Sequence, residues 1–343
     1  MGRVMKSFKN ILLISGSSLV GAPQNIMKAL NNYTSFNSSL IVEQDYRGAR
    51  AGYFTSDSIV MNDENKDLVI SLISSADIIQ IHNKISEEFE CLILEHSNTD
   101  NYIYQVHSPL RESPLYYDIT NDMKIPFKVK AACAQYHGYI YPEYRLLPLI
   151  VNYKNTINLY DGGELKILFC PSHSGLKGRW NRKSSEAFNE VVEKFAMLPG
   201  VNIIRPSKPV KPLELYEMRK HCHITIDEVI TGTFHTVSLE GLCAGTVVIN
   251  NSDFFANRIL QNSARAGYLP PFYRSTENSL LDDLITLYRN PHLVREYQEA
   301  SAKYYSDFLS PKKLISRYCE VYDELLLNCF EKITMEEEVE NAG

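Results

Sequence analysis

What most restricts this chain is a repeated alternation of short, continuous apolar runs with longer amphipathic segments. "NILLISG" is such a run, closed by Gly16, and the helical stretch "PQNIMKALNNY" follows, opening at Pro23. The series continues with "SSLIVEQ", "DLVISLISSA", "DIIQIHN", "EEFECLILEH" and "NYIYQVHS", read as strand, helix, strand, helix, strand, with "KVKAACAQ" and "YRLLPLIV" after them. Runs of four to six apolar residues without a polar partner face suit strands buried on both sides. Strands alternating with helices predict a twisted, mostly parallel sheet covered by helices.

The pattern then restarts. Residues 152–164, "NYKNTINLYDGGE", are polar and turn-rich and read as a linker. Beyond them "LKILFCPS", "NRKSSEAFNEVVEKFAML", "VNIIRPS", "KPLELYEMRKHC", "HITIDEV", "HTVSLEGLCAG" and "TVVINN" repeat the alternation. A long helix beginning at Pro311 closes the chain, followed by the acidic tail "TMEEEVENAG". The expected units are therefore residues 1–155, 156–310, a final helix over 311–335 and a frayed tail over 336–343. A length of 343 residues agrees with two domains.

Composition narrows the function classes. A net charge of −6 argues against a general nucleic-acid binder. Seven scattered cysteines without a Cys-x-x-Cys read as free thiols in a reducing compartment. No apolar run approaches the ~20 residues a bilayer span needs, and the N-terminal apolar run is too short for a secretory signal. A cytoplasmic protein is expected.

In parallel α/β sheets, ligands gather outside the carboxyl ends of the strands. Four segments fall there. The loop "SGSSLVGAPQ" carries Gly16 and Gly21 ahead of a helix N-terminus, where a backbone can approach an anion. It has neither a G-x-G-x-x-G fingerprint nor a Walker A lysine. In "HSPLRE", His107 ends a strand with Arg111 four residues on. "CPSHSGLKGRWNRK" sets Lys177, Arg179, Arg182 and Lys183 around Gly175 and Gly178 before a helix, a cation-rich setting for a diphosphate. In "TGTFHTVSLEGLCAGTVVIN", Glu240 sits among small residues, a carboxylate suited to accepting a pair of ribose hydroxyls. Each also has a plain reading: a tight turn, a hydrogen-bonding histidine, a solvated basic loop and a dipole-stabilised acid.

With those residues in view, the sequence resembles the GT-B superfamily of glycosyltransferases, particularly its retaining family 4. "LEGLCAGTVVI" is similar to that family's Glu-Ala-Met-Ala-x-Gly-x-Pro-Val core, and "SHSGLKG" to its Lys-Gly step. "CAQYHGYIYPEYRLLPLIVN" looks like the end of the family's first domain, and "RYCEVYDELL" like the helix that crosses back. The resemblance implies two Rossmann-like parallel-sheet domains facing across a cleft. It implies transfer of a sugar, with retention, from a nucleotide-diphosphate-sugar donor to a glycan or lipid-linked acceptor, in bacterial surface polysaccharide or glycoconjugate synthesis. Glu240 would hold the ribose, Lys177 the diphosphate, with Arg179, Arg182 and Gly232 in the same donor site. The Gly16–Gly21 loop would face the phosphates, His107 would lie by the transferred sugar, and Arg111 would face the acceptor. No cofactor and no metal are implied, and no D-x-D occurs. The implied location is cytoplasmic, at or near the inner face of the membrane.

Two positions depart from the family pattern. Its first acid would fall at Gly232, where the nearest acids are Asp227 and Glu228, and its arginine at Ser172. They motivate an alternative, a non-catalytic GT-B protein that binds a nucleotide, a glycan or a partner transferase. A nucleotide-sugar epimerase, sharing the two-domain plan, is a third and weaker reading.

Overall fold

The computed structural model describes residues 9–44, 57–108, 110, 115–133, 138–170, 185–206 and 210–340, with side chains described to residue 327. In the N-terminal half the strands are β1 (Lys9–Ser17), β2 (Phe36–Gln44), β3 (Ser58–Val60), β4 (Ile78–His82), β5 (Tyr102–Val106), β6 (Val129–Ala132) and β7 (Tyr144–Leu146). Helices α1 (Ala22–Tyr33), α2 (Lys66–Ser75), α3 (Glu87–His96) and α4 (Leu115–Asp118) lie between them. The sheet order is β3-β2-β1-β4-β5-β6-β7, with every pairing parallel.

The reason for the apolar runs is visible in β1. Ile11 and Leu13 pack with Ile26, Met27 and Leu30 of α1, whereas Leu12 and Ile14 join Val69 and Ile73 of α2 and Phe89 and Ile93 of α3. Successive side chains of a strand point to opposite faces, so a strand covered on both sides must be apolar at every position.

The second half repeats the plan with β8 (Leu165–Phe169), α5 (Glu186–Ala196), β9 (Val201–Ile204), α6 (Pro212–Lys220), β10 (Ile224–Ile226), α7 (Thr236–Cys243) and β11 (Val247–Asn250). It continues with α8 (Phe254–Ala264), β12 (Tyr273–Arg274), α9 (Leu280–Arg289) and α10 (Pro291–Tyr304), which the sequence reading does not resolve. Its sheet order is β12-β11-β10-β8-β9, again parallel throughout. β12 carries no apolar run; it is held by two register pairs, Ile249 with Tyr273 and Asn250 with Arg274.

The segment between the sheets is coil, as its composition predicts, but it is clasped rather than free. Tyr216 of α6 donates to the Lys154 carbonyl at 2.8 Å and Tyr305 to the Val151 carbonyl at 2.7 Å. The Thr156 amide donates to the Cys243 carbonyl at 3.1 Å. Gly245, at φ +62°, closes this contact: a Cβ there would stand 2.6 Å from the Thr156 carbonyl oxygen.

After a π-helical turn at Tyr305–Leu309, the final helix α11 (Pro311–Glu340) returns to the N-terminal sheet. It runs through much of the segment assigned above to an acidic tail. Tyr322 donates to Gln80 Oε1 (2.6 Å), Gln80 to Gln105 Oε1 (2.6 Å), Gln105 to Tyr318 Oη (2.9 Å), and Tyr318 to the Pro148 carbonyl (2.8 Å). Buried amides in the middle of a sheet need such partners, and the helix supplies them. Among the described residues no helix is long and apolar enough to cross a membrane.

Candidate functional site

Strand order locates the site before any side chain is considered. In the first sheet the chain moves outward from β1 through β2 to β3, then returns to the other side of β1 at β4. The switch point lies between β1 and β4, flanked by the loops after Ser17 and after His82. In the second sheet it lies between β8 and β10, flanked by the loops after Phe169 and after Ile226. Crevices at such points receive ligands in open parallel sheets.

At the first switch point, the loop after β1 has an uncommon backbone. Leu19 (φ 44°), Val20 (φ 54°) and Gly21 (φ 80°) are successively left-handed, and Val20 is branched at Cβ. Holding L-residues there costs roughly 1–2 kcal/mol each, a strain that proteins keep mainly at functional loops. Gly21 leads into α1 with Pro23 in the first turn, where it has no amide hydrogen to donate, and the Ala22 amide donates to the Leu19 carbonyl. Gly16 lies near the end of β1. A Cβ on it would stand 2.3 Å from the Lys84 carbonyl oxygen, so its bareness lets the end of β1 and the loop after β4 touch.

His107 directly follows β5. Its Nε2 lies 2.8 Å from His82 Nδ1 and its Nδ1 3.5 Å from Cys133 Sγ, while its backbone amide donates to Asn83 Oδ1 at 2.8 Å. Both ring nitrogens thus face the protein. Burial pushes the His107 imidazole down to about 3, and burial plus the neighbouring His107 holds His82 well below the usual range. Both rings are neutral near neutral pH. Cys133 is no nucleophile, because burial raises its thiol far above the ordinary range.

At the second switch point stands Glu240. It occupies the middle of α7 rather than its first turn, so the helix dipole is not what stabilises it. Arg219 of α6 does so instead: its Nη2 lies 2.7 Å from Glu240 Oε2, and the two side chains are 1% and 12% exposed. Burial pushes the Glu240 carboxyl up, with the Arg219 charge and hydrogen bond pulling it back down. Arg219 donates to Oε2, and among the described residues no hydrogen bond is shown to Oε1. Gly241 beside it packs closely on β10 and β11, where a Cβ would meet Val248 Cγ2 at 2.7 Å.

The loop between β10 and α7 holds a second group: Asp227 and Glu228, noted above as the acids nearest Gly232, and His235, which sequence reading passed over. Asp227 accepts from the His235 amide (2.8 Å), from His235 Nδ1 (3.2 Å) and from Ser238 Oγ (2.7 Å), and Asn250 donates to Ser238 Oγ at 2.9 Å. Glu228 accepts from the amides of Ile230 (2.7 Å) and Thr231 (2.8 Å) and from the Thr231 hydroxyl (2.6 Å). Gly232 turns this loop at φ +77°. The two acids nearest Gly232 are therefore engaged by groups of their own loop and of α7. The signal available in the sequence was an acid pair and a histidine bracketing a Gly-containing loop.

Lys177, Arg179, Arg182 and Ser172, and Arg111 in the N-terminal half, lie outside the described residues. The structure brings Gly21 to one switch point and Gly232 and Glu240 to the other. His107 lies one strand further along the first sheet.

No protein-family model and no curated protein matches the sequence. Solved structures do match in fold. An alpha-glucosyltransferase in complex with UDP and a 13-mer DNA aligns over 93% of this chain and 100% of its own, at 11% identity and a TM-score of 0.62. The S. aureus MnaA–UDP co-structure aligns over 93% and 98%, at 13% identity and 0.51. WaaG, a glycosyltransferase involved in lipopolysaccharide biosynthesis, aligns over 91% and 99%, at 12% and 0.50. The two-sheet architecture with its returning helix is the GT-B fold.

Proposed function

We propose that this protein is a glycosyltransferase that takes a sugar from a nucleoside-diphosphate donor and passes it to a hydroxyl of a glycan or lipid-linked acceptor. One observation carries the reading: a carboxylate, Glu240, fixed by Arg219 at the second sheet's switch point, with one oxygen outside the ion pair. A carboxylate oxygen held in that way accepts a ribose hydroxyl without reorganising. The neighbours described with UDP support a nucleotide ligand.

In this reading the C1–O bond to the diphosphate breaks and a C1–O bond to the acceptor forms. The electron pair leaves on the phosphate oxygen, which also receives the acceptor's proton. Attack from the leaving group's face gives retention. The loop Gly16–Gly21 ahead of α1, with Lys177, Arg179 and Arg182, is assigned to the developing charge from the sequence alone. No metal is needed, so transfer persists in a chelator. His107, neutral and engaged by His82 and Cys133, shapes the sugar end of the cleft and is no proton shuttle. Arg111 remains the proposed acceptor contact, and work at the inner membrane face in surface-glycan synthesis the proposed setting. The DNA of the one neighbour is not carried over, because a net charge of −6 opposes a polyanion.

A second reading, a GT-B protein that binds without turnover, is favoured by one fact: Asp227 and Glu228 are consumed by their own loop, and Gly232 supplies no acid. Incubation with a panel of nucleotide sugars, followed by assay of released nucleoside diphosphate with and without glycan acceptors, separates the two. Release supports the enzyme; binding without release supports the second reading.

A further inference from the structure

The two residues that flank the first switch point each keep a buried polar atom without a partner. Ser18, directly after β1, is 6% exposed, and His82, the last residue of β4, is fully buried. Neither Ser18 Oγ nor His82 Nε2 has a hydrogen-bond partner among the described residues. Burying such a group unsatisfied is costly and folded proteins keep few, so two on the flanks of one crevice call for a physical cause.

The ring of His82 shows which way its unpartnered nitrogen points. Nδ1 faces β5, 2.8 Å from His107 Nε2. Nε2 lies across the ring, away from β5, and the strand on that side of β4 is β1. The β1 residue in register with His82 is Ser15, whose hydroxyl donates to the Ser17 carbonyl at 2.5 Å and does not serve Nε2. The backbone is left-handed on both flanks, at Leu19 and Val20 on one and at Asn83 (φ 55°) on the other. Asn83 is itself engaged, its Oδ1 accepting from the His107 amide.

The chemistry of the two atoms selects the ligand. His82 is neutral, so Nε2 donates or accepts according to its tautomer, and a serine hydroxyl does both. A hydroxyl on the ligand matches Nε2 in either tautomer. An ion is matched by only one of them, and neither side chain carries a charge to balance it. Glu43, beside Gly16, is taken up by the Ser86 amide at 3.1 Å.

We infer that Ser18 and His82 form a subsite at the first switch point that holds a hydroxyl of a sugar ring. The inference rests on the glycosyltransferase reading above and adds to it a sugar contact on the first sheet, beside His107. The sugar is the one carried by the nucleotide or one belonging to the acceptor; the recognising chemistry is the same, and the test separates the two.

Two measurements on the full chain make that test. Saturation-transfer NMR is recorded with methyl α-glucoside, methyl α-mannoside and N-acetylglucosamine, and calorimetry with UDP-glucose, UDP-N-acetylglucosamine and GDP-mannose beside the matching nucleoside diphosphates. The variants are Ser18→Ala and His82→Asn, the second keeping a polar atom near the place of Nδ1 while removing Nε2. Because the Ser18 hydroxyl has no partner, Ser18→Ala is expected to melt at or above the wild-type temperature. Nucleoside diphosphate affinity is expected to stay unchanged in both variants. If the subsite takes the donor's sugar, nucleotide-sugar affinity falls about tenfold in each variant. If it takes the acceptor's, the glycoside signals fall instead. Variants that leave both readouts at wild-type values overturn the inference, as does a Ser18→Ala variant that melts well below wild type with its sugar binding intact. Wild type that binds a nucleoside diphosphate but shows neither a preference for its sugar conjugate nor any glycoside signal also overturns it, while the donor reading stands. Wild type that binds no nucleotide sinks the donor reading, and the subsite is then decided by the glycoside signals alone.

Discussion

Arg219 and Glu240 form a buried ion pair, 2.7 Å from Nη2 to Oε2, joining α6 to α7 beneath the second switch point. Arg219 is 1% exposed, and its Nε has no hydrogen-bond partner among the described residues. The pair ties the proposed ribose contact to the stability of the domain, which a reading of Glu240 as a surface acid would miss.

Glu240→Ala should therefore destabilise the fold as well as remove nucleotide binding. It strands a buried guanidinium, a loss of about 3–5 kcal/mol when one partner of a buried pair goes. Replacing both residues with apolar ones of similar volume, Arg219→Met with Glu240→Leu, should restore most of the stability and none of the binding. Urea denaturation together with nucleotide titration of the three proteins checks this. An Ala variant as stable as wild type would mean the ion pair contributes little.

His82 and His107 predict acid sensitivity. Both are held neutral in the fold, whereas in the unfolded chain each takes up a proton below about pH 6.5. The unfolded state then binds more protons, so the stability is present in full above about pH 6.5 and is lost as the pH falls below it. Roughly 1–2 kcal/mol per ring should disappear between pH 7 and pH 5. Denaturant midpoints at the two pH values measure the loss, and His107→Gln should reduce it. An unchanged pH dependence in that variant would show that His107 is not the group responsible.

Much of the fold was legible because its cause is local. Ile11 through Ile14 must be apolar when helices cover both faces, and Pro23 and Pro311 mark helix starts through their fixed φ. What escaped depends on distant partners. β3 and β12 are short strands whose place is set by neighbours, and the tail's acidic composition hid a continuing helix. At the site, the sequence singled out Glu240 but not Arg219, which lies 21 residues earlier on a different helix. His235 went unnoticed because only folding brings Asp227 against its ring.

Gly16→Ala should be destabilising by about 1–3 kcal/mol, since its Cβ would press on the Lys84 carbonyl, backbone that cannot swing aside. Thermal or urea unfolding measures this. A neutral result would mean that the end of β1 and the loop after β4 separate readily at Lys84.

Tyr318→Phe removes a hydroxyl that both accepts from Gln105 and donates to Pro148. Leaving two buried groups unsatisfied should cost about 1–3 kcal/mol or more. Faster amide exchange is expected along α11 and β5, with the second sheet unaffected. Uniform exchange acceleration in both sheets would contradict the assignment of α11 to the first.

The central claim is that a nucleoside diphosphate binds at the second switch point against Glu240. Thermal unfolding of wild type with UDP, GDP, ADP and dTDP tests it most directly, with Glu240→Gln as the comparison. One of the four should raise the melting temperature of wild type, by the equivalent of about 2.7 kcal/mol at 100 times its Kd. In Glu240→Gln, where an amide replaces the charged acceptor, the same concentration should give a clearly smaller rise. No shift with any of the four, or an equal shift in both proteins, would contradict the account.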